Sequence, residues 1–273
     1  GAGRLNAESD IDLIMIYGAP GVEASDGRRP LATRPYYARL TQALVTALAA
    51  PMSEGRLYEV DMRLRPSGRA GPVATAFESF KNYQANEAWT WEHLALTRAR
   101  AIAGDTRLAA EIEAFRVQTL ASKGQGATVL ADVADMRRRI AEAKPQQGAW
   151  DAKIGAGRLQ DIELLAQTAC LRAGSAACDM AGQLQAGVVD GWLNAADAQA
   201  LGVAAGLMWR LQAVARLLTG GPLRPDDAGE GAKRLILRET DCRDLAELLD
   251  QLHKQSAAAD EIICRMLGVS HGT

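Results

Sequence analysis

The spacing of apolar residues changes along the chain, from a strand period near the start to a helical period afterwards. Two early segments, residues 10–17 and 56–64, carry the β-branched, aromatic or alternating pattern of strands. From Thr75 almost to the end, apolar residues recur at helical spacing. This order predicts an α+β chain: a small mixed sheet with helices over residues 1–104, followed by an all-helical bundle over residues 105–273.

Helical spacing predicts one helix between the strands and a series of helices after them. The first covers residues 34–50 and ends at Pro51. Clusters of Gly, Pro and Asp predict surface loops at 18–33 and 220–231. On the helix predicted over 127–143, Arg137-Arg138-Arg139 is expected to form a solvated face. The helices after the second strand are predicted over residues 75–85, 87–100, 105–121, 127–143, 159–173, 178–190, 195–219 and 241–267.

Composition narrows the classes of function. The chain has 273 residues, of which 48% are hydrophobic, enough for one large core or two modest ones. The formal net charge of -2 disfavours binding to nucleic acid, which usually requires a basic surface. No uninterrupted apolar run reaches roughly 18 residues and no signal peptide is visible. We therefore expect a cytoplasmic protein without a membrane partner.

The 4 cysteines and 3 histidines are scattered along the chain, without a C-x-x-C pair. A zinc site requires clustered ligands, so none is expected. The cysteines lie in apolar helical stretches, which predicts small buried side chains in a reducing compartment.

Two aspartates open the first strand. Successive side chains of a strand point to opposite faces, so Asp10 and Asp12 share one face while the apolar residues beside them take the other. Two carboxylates so placed repel each other unless a cation lies between them or one is protonated. The usual physiological cation is Mg²⁺, which prefers carboxylates together with phosphate oxygens.

The second strand carries a third aspartate, and Glu59, Asp61, Arg63 and Arg65 share one of its faces. If the two strands are neighbours, Asp61 joins the first pair of aspartates. Three carboxylates can hold two metal ions about 3.5–4 Å apart, which activates an attacking oxygen and steadies a leaving one. The arginines would then supply countercharge for a triphosphate. A solvated strand end and an amphipathic edge strand are the plainer explanations, but the combination of both patterns favours a site.

The pair Gly1-Ala2 followed by Asp10-Ile11-Asp12 resembles the opening motif of the polymerase-β-like nucleotidyltransferase superfamily. Members have a Gly-Gly or Gly-Ser pair, an Asp-hydrophobic-Asp strand and a third Asp on a later strand. Three longer stretches closely resemble the glutamine-synthetase adenylyltransferase family: GRLYEVDMRLRPSGRAGPVATAFESFKNYQ, NEAWTWEHLALTRARAIAGD and DAKIGAGRLQDIELLAQ. The resemblance implies a polymerase-β-like domain over residues 1–104, lacking the strand that usually precedes the glycine pair.

The resemblance also implies roles for individual residues. Asp10, Asp12 and Asp61 would be the metal ligands and the catalytic residues, with Mg²⁺ or Mn²⁺ as the metal and ATP as a substrate. The candidates for nucleotide contacts are Gly1, Ala2, Ser9, Arg63 and Arg65.

Members of this family contain two nucleotidyltransferase halves. One adenylylates a tyrosine of glutamine synthetase, and the other removes AMP by phosphorolysis. Glu59, Ser67 and the AWTWEH stretch at 88–93 resemble the adenylylating, C-terminal half. The expected reaction is in-line attack of the tyrosyl oxygen on the α-phosphorus of ATP, with release of pyrophosphate. Asp61 is the candidate that helps to remove the tyrosyl proton.

Two alternatives stay open. The phosphorolytic half would use the same three aspartates in the reverse direction. A catalytically silent module would instead sense a PII-type signalling protein or glutamine, which are also the expected effector partners of the full-length enzyme. Nucleic-acid polymerisation is disfavoured by the near-neutral charge.

Overall fold

The structure, a computed structural model, describes residues 5, 9–55, 58–219, 223–225 and 228–269. The chain forms two compact units. One, the sheet unit, consists of Glu8–His93 and Ala101–Thr119. The other, the bundle unit, consists of Leu94–Arg100 and the described residues from Leu120 onward, together with Leu5. The domain boundary between residues 104 and 105 stays a prediction.

Among the described residues, four short strands, two helices and a 3₁₀ turn lie wholly in the sheet unit. Strand β1 pairs with β3, and β2 pairs with β4, both in parallel. The elements are β1 (Asp10–Asp12), β2 (Met15–Tyr17), α1 (Thr33–Ala49), β3 (Glu59–Asp61), a 3₁₀ turn (Gly68–Ala70), β4 (Ala74–Ala76) and α2 (Phe77–Asn86). Helices α3 (Thr90–Leu96) and α4 (Thr106–Lys123) contain residues of both units.

The predicted first strand is two strands with different partners. Residues 10–12 pair with β3 and residues 15–17 pair with β4, so the ladder is interrupted at residues 13–14. The prediction of a helix from residue 75 was wrong at its start, because Ala74–Ala76 pairs with β2 before the chain turns into α2. Three residues between a glycine-rich turn and a helix are too few for a strand period to be visible in the sequence.

Aromatic contacts fix the helices of the sheet unit. The ring of Tyr37, on α1, stacks on Tyr17 with 4.2 Å between centroids. Phe77 and Phe80, both buried on α2, meet Phe115 edge-on at 6.0 Å. These contacts pack α1 against the end of β2 and α2 against α4, which places the first turns of α1 and α2 beside the sheet.

In the part of the bundle unit that the structure describes, six helices lie wholly within the unit: α5 (Val129–Ala143), α6 (Leu159–Arg172), α7 (Met180–Val189), α8 (Ala195–Thr219), α9 (Glu230–Thr240) and α10 (Leu245–Leu267). The predicted α+β fold, strands with helices followed by a helical bundle, is confirmed, but the described strands form two separate two-stranded parallel sheets instead of one mixed sheet. Helix α6 is apolar over most of its surface and is buried from Ile162 to Leu171 almost without interruption, as expected of the central helix of a bundle.

Helix α9 was not predicted. It begins in the stretch assigned to a loop, where Gly229 and Gly231 mask its start, and it buries only Ile236 and Thr240. The last helix was predicted from residue 241 but begins at Leu245. The side chain of Asp244 caps it by accepting a hydrogen bond from the Glu247 N–H at 2.8 Å.

Helix α8 is long and apolar enough, by length and composition, to cross a membrane. Core helices of globular units meet the same criteria, and α8 packs against α6, α7, α9 and α10 with eight buried residues, among them Leu201, Met208 and Leu211. Arg210 interrupts its apolar sequence. The helix is therefore weak evidence for a membrane span, and the cytoplasmic location stays a prediction.

An ion network joins three helices of the bundle unit. Arg137 on α5 donates to Asp161 at the start of α6, with Nε–Oδ1 at 2.8 Å and Nη2–Oδ2 at 2.7 Å. The same guanidinium pairs with Asp260 on α10 and donates to Cys264 Sγ at 3.2 Å. The expectation of a fully solvated arginine face was wrong for Arg137, whose side chain is only 15% exposed.

Candidate functional site

The pairing of β1 with β3 brings the three predicted aspartates together. The register places Asp10 opposite Glu59 and Asp12 opposite Asp61, and opposed residues of paired strands project from the same face. One carboxylate oxygen each of Asp10, Asp12 and Asp61 lies within 4.8 Å of the others. We call these three residues the acidic cluster. Its ligand role stays a prediction, but the proximity that the role requires is present.

The local ladder explains why the cluster forms. Ile11 and Val60 are opposed on the other face of the two strands and are half-buried. Beyond the last pair, the Leu13 N–H donates to the Asp61 carbonyl at 2.8 Å. The apolar side therefore fixes which face the aspartates take, since a shift of one residue would exchange the two faces.

Arg63 lies against the acidic cluster. Its backbone N–H donates to Asp61 Oδ1 at 2.7 Å and its Nε donates to Oδ2 at 2.6 Å, and the guanidinium also forms an ion pair with Oδ2. This hydrogen bonding holds the pKa of Asp61 below its ordinary value, although burial opposes the shift. The pKa of Arg63 is raised, chiefly by Asp61 and to a smaller extent by Asp10 and Asp12.

Arg65 is placed differently from Arg63. Its guanidinium donates to the backbone carbonyls of Met62 at 2.6 Å, Gly71 at 3.3 Å and Arg69 at 3.4 Å. It therefore ties together the turn that follows β3. Gly71 is required in this turn, because a Cβ there would lie 1.9 Å from the Pro66 carbonyl oxygen. The nucleotide contact of Arg65 stays a prediction.

The other predicted nucleotide contacts are Ser9, Gly1 and Ala2. Ser9 is half-buried and directly precedes β1. Gly1 and Ala2 lie outside the described residues. Their roles stay predictions.

The donor atoms of the acidic cluster fit a hard divalent cation. All three ligand groups are carboxylates, the donors that Mg²⁺ and Mn²⁺ prefer over nitrogen or sulfur. A cation at this position would relieve the repulsion between Asp10 and Asp12, both of which are exposed to solvent.

An open groove of about 610 Å³ also lies in the sheet unit and was not predicted. Its wall includes Tyr17 at the end of β2 and the end of β4, so it lies at the carboxyl ends of two parallel strands. That position is where open parallel sheets commonly bind ligands. The sequence does not predict this groove because β4, which forms part of its wall, is only three residues long and shows no strand period. The remaining lining residues include Arg34, Pro66, Ser67, Thr75, Ser79, Asn82 and Tyr83.

The sequence of the chain is similar to known adenylyltransferases. Residues 1–115 match the family described as Glutamate-ammonia ligase adenylyltransferase. The chain is 44% identical, over 94% of its length and 26% of the relative, to the bifunctional glutamine synthetase adenylyltransferase/adenylyl-removing enzyme of Mesorhizobium japonicum. The proteins of the same description from Rhizobium meliloti and Rhodopseudomonas palustris are 42% and 39% identical, over 96% and 98% of this chain.

The chain spans 26–28% of the length of these relatives. The matched residues 1–115 include the acidic cluster and the groove, and similarity to the curated relatives extends over nearly the whole chain. On this evidence the chain belongs to the glutamate-ammonia ligase adenylyltransferase family.

Proposed function

We propose that this chain transfers AMP from ATP to a tyrosine of glutamine synthetase and releases pyrophosphate, as the adenylylating half of a longer enzyme. The observation that supports this most directly is the acidic cluster with Arg63 beside it. Three carboxylates on paired strands, with one cationic side chain in the turn beside them, are the parts that nucleotidyl transfer requires, because the reaction depends mainly on positioning and charge neutralisation.

Asp10, Asp12 and Asp61 would hold Mg²⁺ or Mn²⁺. When bound, the metal would neutralise phosphate charge and promote deprotonation of the acceptor hydroxyl. The oxygen of the acceptor tyrosine forms a bond to the α-phosphorus as the bond to the pyrophosphate oxygen breaks. The chain itself orients these groups and accepts the proton.

Arg63 and Asp61 would act together in that step. The side chain of Arg63 is 62% exposed, so its guanidinium is able to turn from Asp61 to phosphate oxygens when the nucleotide binds. Loss of that hydrogen bond would free Oδ2 of Asp61 to accept the tyrosyl proton, whose ordinary pKa is about 10. Nucleotide binding would thus prepare the base.

The second candidate is phosphorolytic removal of AMP from adenylylated glutamine synthetase. The names of the relatives include both activities. The phosphorolytic direction would use the same three carboxylates. Features of the second strand, with Glu59 and Ser67, favour the adenylylating direction through family resemblance. A PII-type protein and glutamine would act as effectors through the longer enzyme.

The test is transfer of label from α-labelled ATP with Mg²⁺ onto purified glutamine synthetase. We expect labelled tyrosine with the parent chain, none with Asp10→Ala/Asp12→Ala, and full labelling with Asp26→Asn, which changes an exposed carboxylate outside the cluster. A parallel reaction supplies adenylylated glutamine synthetase and phosphate. Release of ADP there without forward labelling would support the second candidate, and inactivity in both reactions with bound ATP would support a silent module.

A further inference from the structure

The groove at the ends of β2 and β4 contains a buried hydroxyl without a partner. Thr75, on β4, is 3% exposed, and its Oγ1 has no hydrogen-bond partner among the described residues. The residue lines the groove. A buried hydroxyl without a hydrogen bond destabilises the fold. The presence of this hydroxyl therefore indicates that a ligand atom or solvent forms the hydrogen bond.

The first turn of α2 lines the same groove. Helix α2 has 10 residues, begins after Ala76 and has no side-chain cap. The first N–H groups of a helix have no partner within it and carry the positive end of the helix dipole. Ala76 and Ser79 line the groove, so this uncapped end lies at the same wall as Thr75. Such ends bind phosphate and other oxyanions.

Arg34 adds a full positive charge. It lies in the first turn of α1, is exposed and lines the groove. Two carboxylates, those of Glu78 and Glu87, also line the groove and carry charge opposite to that of Arg34. Glu78 is 83% exposed at its side chain and pairs with Lys81 at 2.6 Å, and Glu87 follows the other end of α2. Glu78 lies in the first turn of α2 but is countered by Lys81, so Arg34 and the uncapped N–H groups supply the positive character of the groove.

The remainder of the groove has polar lining residues and enough volume for a small polar organic molecule. Asn82 and Tyr83 line it along α2, and the Tyr83 hydroxyl donates to Glu92 Oε1 at 2.8 Å. A volume of about 610 Å³ exceeds what a single phosphate fills and falls within the range of small-molecule sites, roughly 300–1,000 Å³.

We propose that this groove binds a phosphate group, carried by inorganic phosphate or by a nucleoside monophosphate, with the phosphate at the first turn of α2 between Arg34, Thr75 and Ser79. The site goes beyond the proposed transfer, because none of its residues belongs to the acidic cluster. Phosphate binding at the groove therefore does not require the metal, and it can be tested without measuring AMP transfer.

Binding to the full chain should be measured by titration calorimetry with inorganic phosphate, AMP and adenosine in the presence of EDTA. EDTA removes the divalent cations that the acidic cluster is predicted to bind. Ligand binding to the groove is therefore measured without metal-dependent binding at the cluster. Saturable binding of phosphate and AMP is expected, with adenosine much weaker. Tighter binding of AMP than phosphate would identify a nucleotide as the occupant, and equal binding would identify free phosphate. Adenosine binding as tightly as AMP would overturn the assignment.

Variants locate the site. Ser79→Glu places a negative charge at the first turn of α2, where it favours the helix but repels an anion. Thr75→Val removes the unpaired hydroxyl, and Arg34→Gln removes the charge. Each should weaken phosphate binding by roughly tenfold or more, the value of a hydrogen bond to a charged group. The control is Arg39→Gln, an exposed arginine on α1 that does not line the groove.

Thermal melting accompanies these titrations. Thr75→Val and Ser79→Glu should melt at or above the temperature of the parent chain, so weaker binding would not reflect unfolding. Absence of phosphate and AMP binding to the parent chain, or binding that is unchanged in all three groove variants, would overturn the proposal.

Discussion

Both carboxylate oxygens of Asp61 accept hydrogen bonds from Arg63, one from the backbone N–H and one from the guanidinium. The strand predicted to residue 64 ends at Asp61, and Arg63 lies two positions further on, in the turn after β3. The most buried member of the acidic cluster is therefore already paired with a cation of the protein. If Asp61 binds a metal as predicted, the arginine and the metal would compete for its carboxylate oxygens.

Replacing Arg63 with Gln should strengthen metal binding and weaken transfer. Loss of the competing cation should tighten Mn²⁺ binding without nucleotide by up to about fivefold, since exposed ion pairs contribute at most about 1 kcal/mol. Transfer should fall by about 10²-fold, because a donor to the phosphate is lost. Electron paramagnetic resonance of Mn²⁺ and the labelling assay measure the two effects. Weaker Mn²⁺ binding would show that Arg63 supports the metal site instead of competing with it.

The same variant should change the titration of Asp61. Arg63 favours the ionised carboxylate, so the folded pKa lies below its ordinary value, and the stabilisation is lost as pH falls through that lowered pKa. Without Arg63 the pKa should rise toward the ordinary value of about 3.9. Carbon-13 NMR of the aspartate carboxyls measures it without metal. An unchanged Asp61 pKa would contradict the contact.

Replacing Asp61 with Asn should abolish transfer and preserve the fold. The amide cannot accept the tyrosyl proton and is a poorer metal ligand, so activity should fall by about 10²–10⁴-fold. The lost ion pair involves the exposed Arg63 and should cost at most about 1 kcal/mol of unfolding free energy. Labelling and thermal melting are measured together, with Asp26→Asn as the control. A fully active Asp61→Asn chain would remove Asp61 from the mechanism.

Replacing Arg137 with Gln should strongly destabilise the bundle unit. The change leaves Asp161 and Asp260, 10% and 16% exposed at their side chains, without their shared cation. Removal of one partner from a buried ion pair typically costs about 3–5 kcal/mol. The matched control is Arg138→Gln, whose partners Asp135 and Glu142 lie on the exposed face of the same helix. It should cost less than about 1 kcal/mol. Urea unfolding distinguishes them, and equal losses would contradict the assigned role of Arg137.

Replacing Gly157 with Ala should be more damaging than replacing Gly148. Both have positive φ, +65° and +97° respectively, so either substitution strains the backbone by about 1–2 kcal/mol. A Cβ at Gly157 would also lie 1.9 Å from the Ser256 carbonyl oxygen on α10, whereas a Cβ at Gly148 meets nothing within 4 Å. The difference in unfolding free energy between the variants therefore measures this close approach, and equal values would show that α10 moves aside easily.

The sequence predicts the acidic cluster because strand alternation fixes the faces of Asp10, Asp12 and Asp61 before the pairing is known. It does not predict that residues 10–17 pair with two different strands, since the choice of partners depends on contacts distant in sequence. Nor does it predict that Arg63 contacts Asp61 while Arg65 binds backbone carbonyls, because alternation assigns both arginines to one face.

In the bundle unit, helical spacing predicts most helices. It does not predict which residues the individual charged side chains pair with. Arg138 and Arg139 form exposed pairs on their own helix, as three consecutive arginines suggest. Arg137 instead reaches two other helices, because one turn of α5 faces α6 and α10. Charge patterns indicate solvation on average, and only tertiary packing determines which member of a run is buried.

The division of residues 10–17 between two ladders separates their local stabilities. Each half of the segment is held by its own three-residue register, Asp10–Asp12 against β3 and Met15–Tyr17 against β4. Backbone amides on the two halves should therefore exchange with deuterium through separate opening events. The half that carries the aspartates could then unpair transiently while Tyr17 stays stacked on Tyr37. The segment predicted from the sequence as one strand would thus contain two opening units.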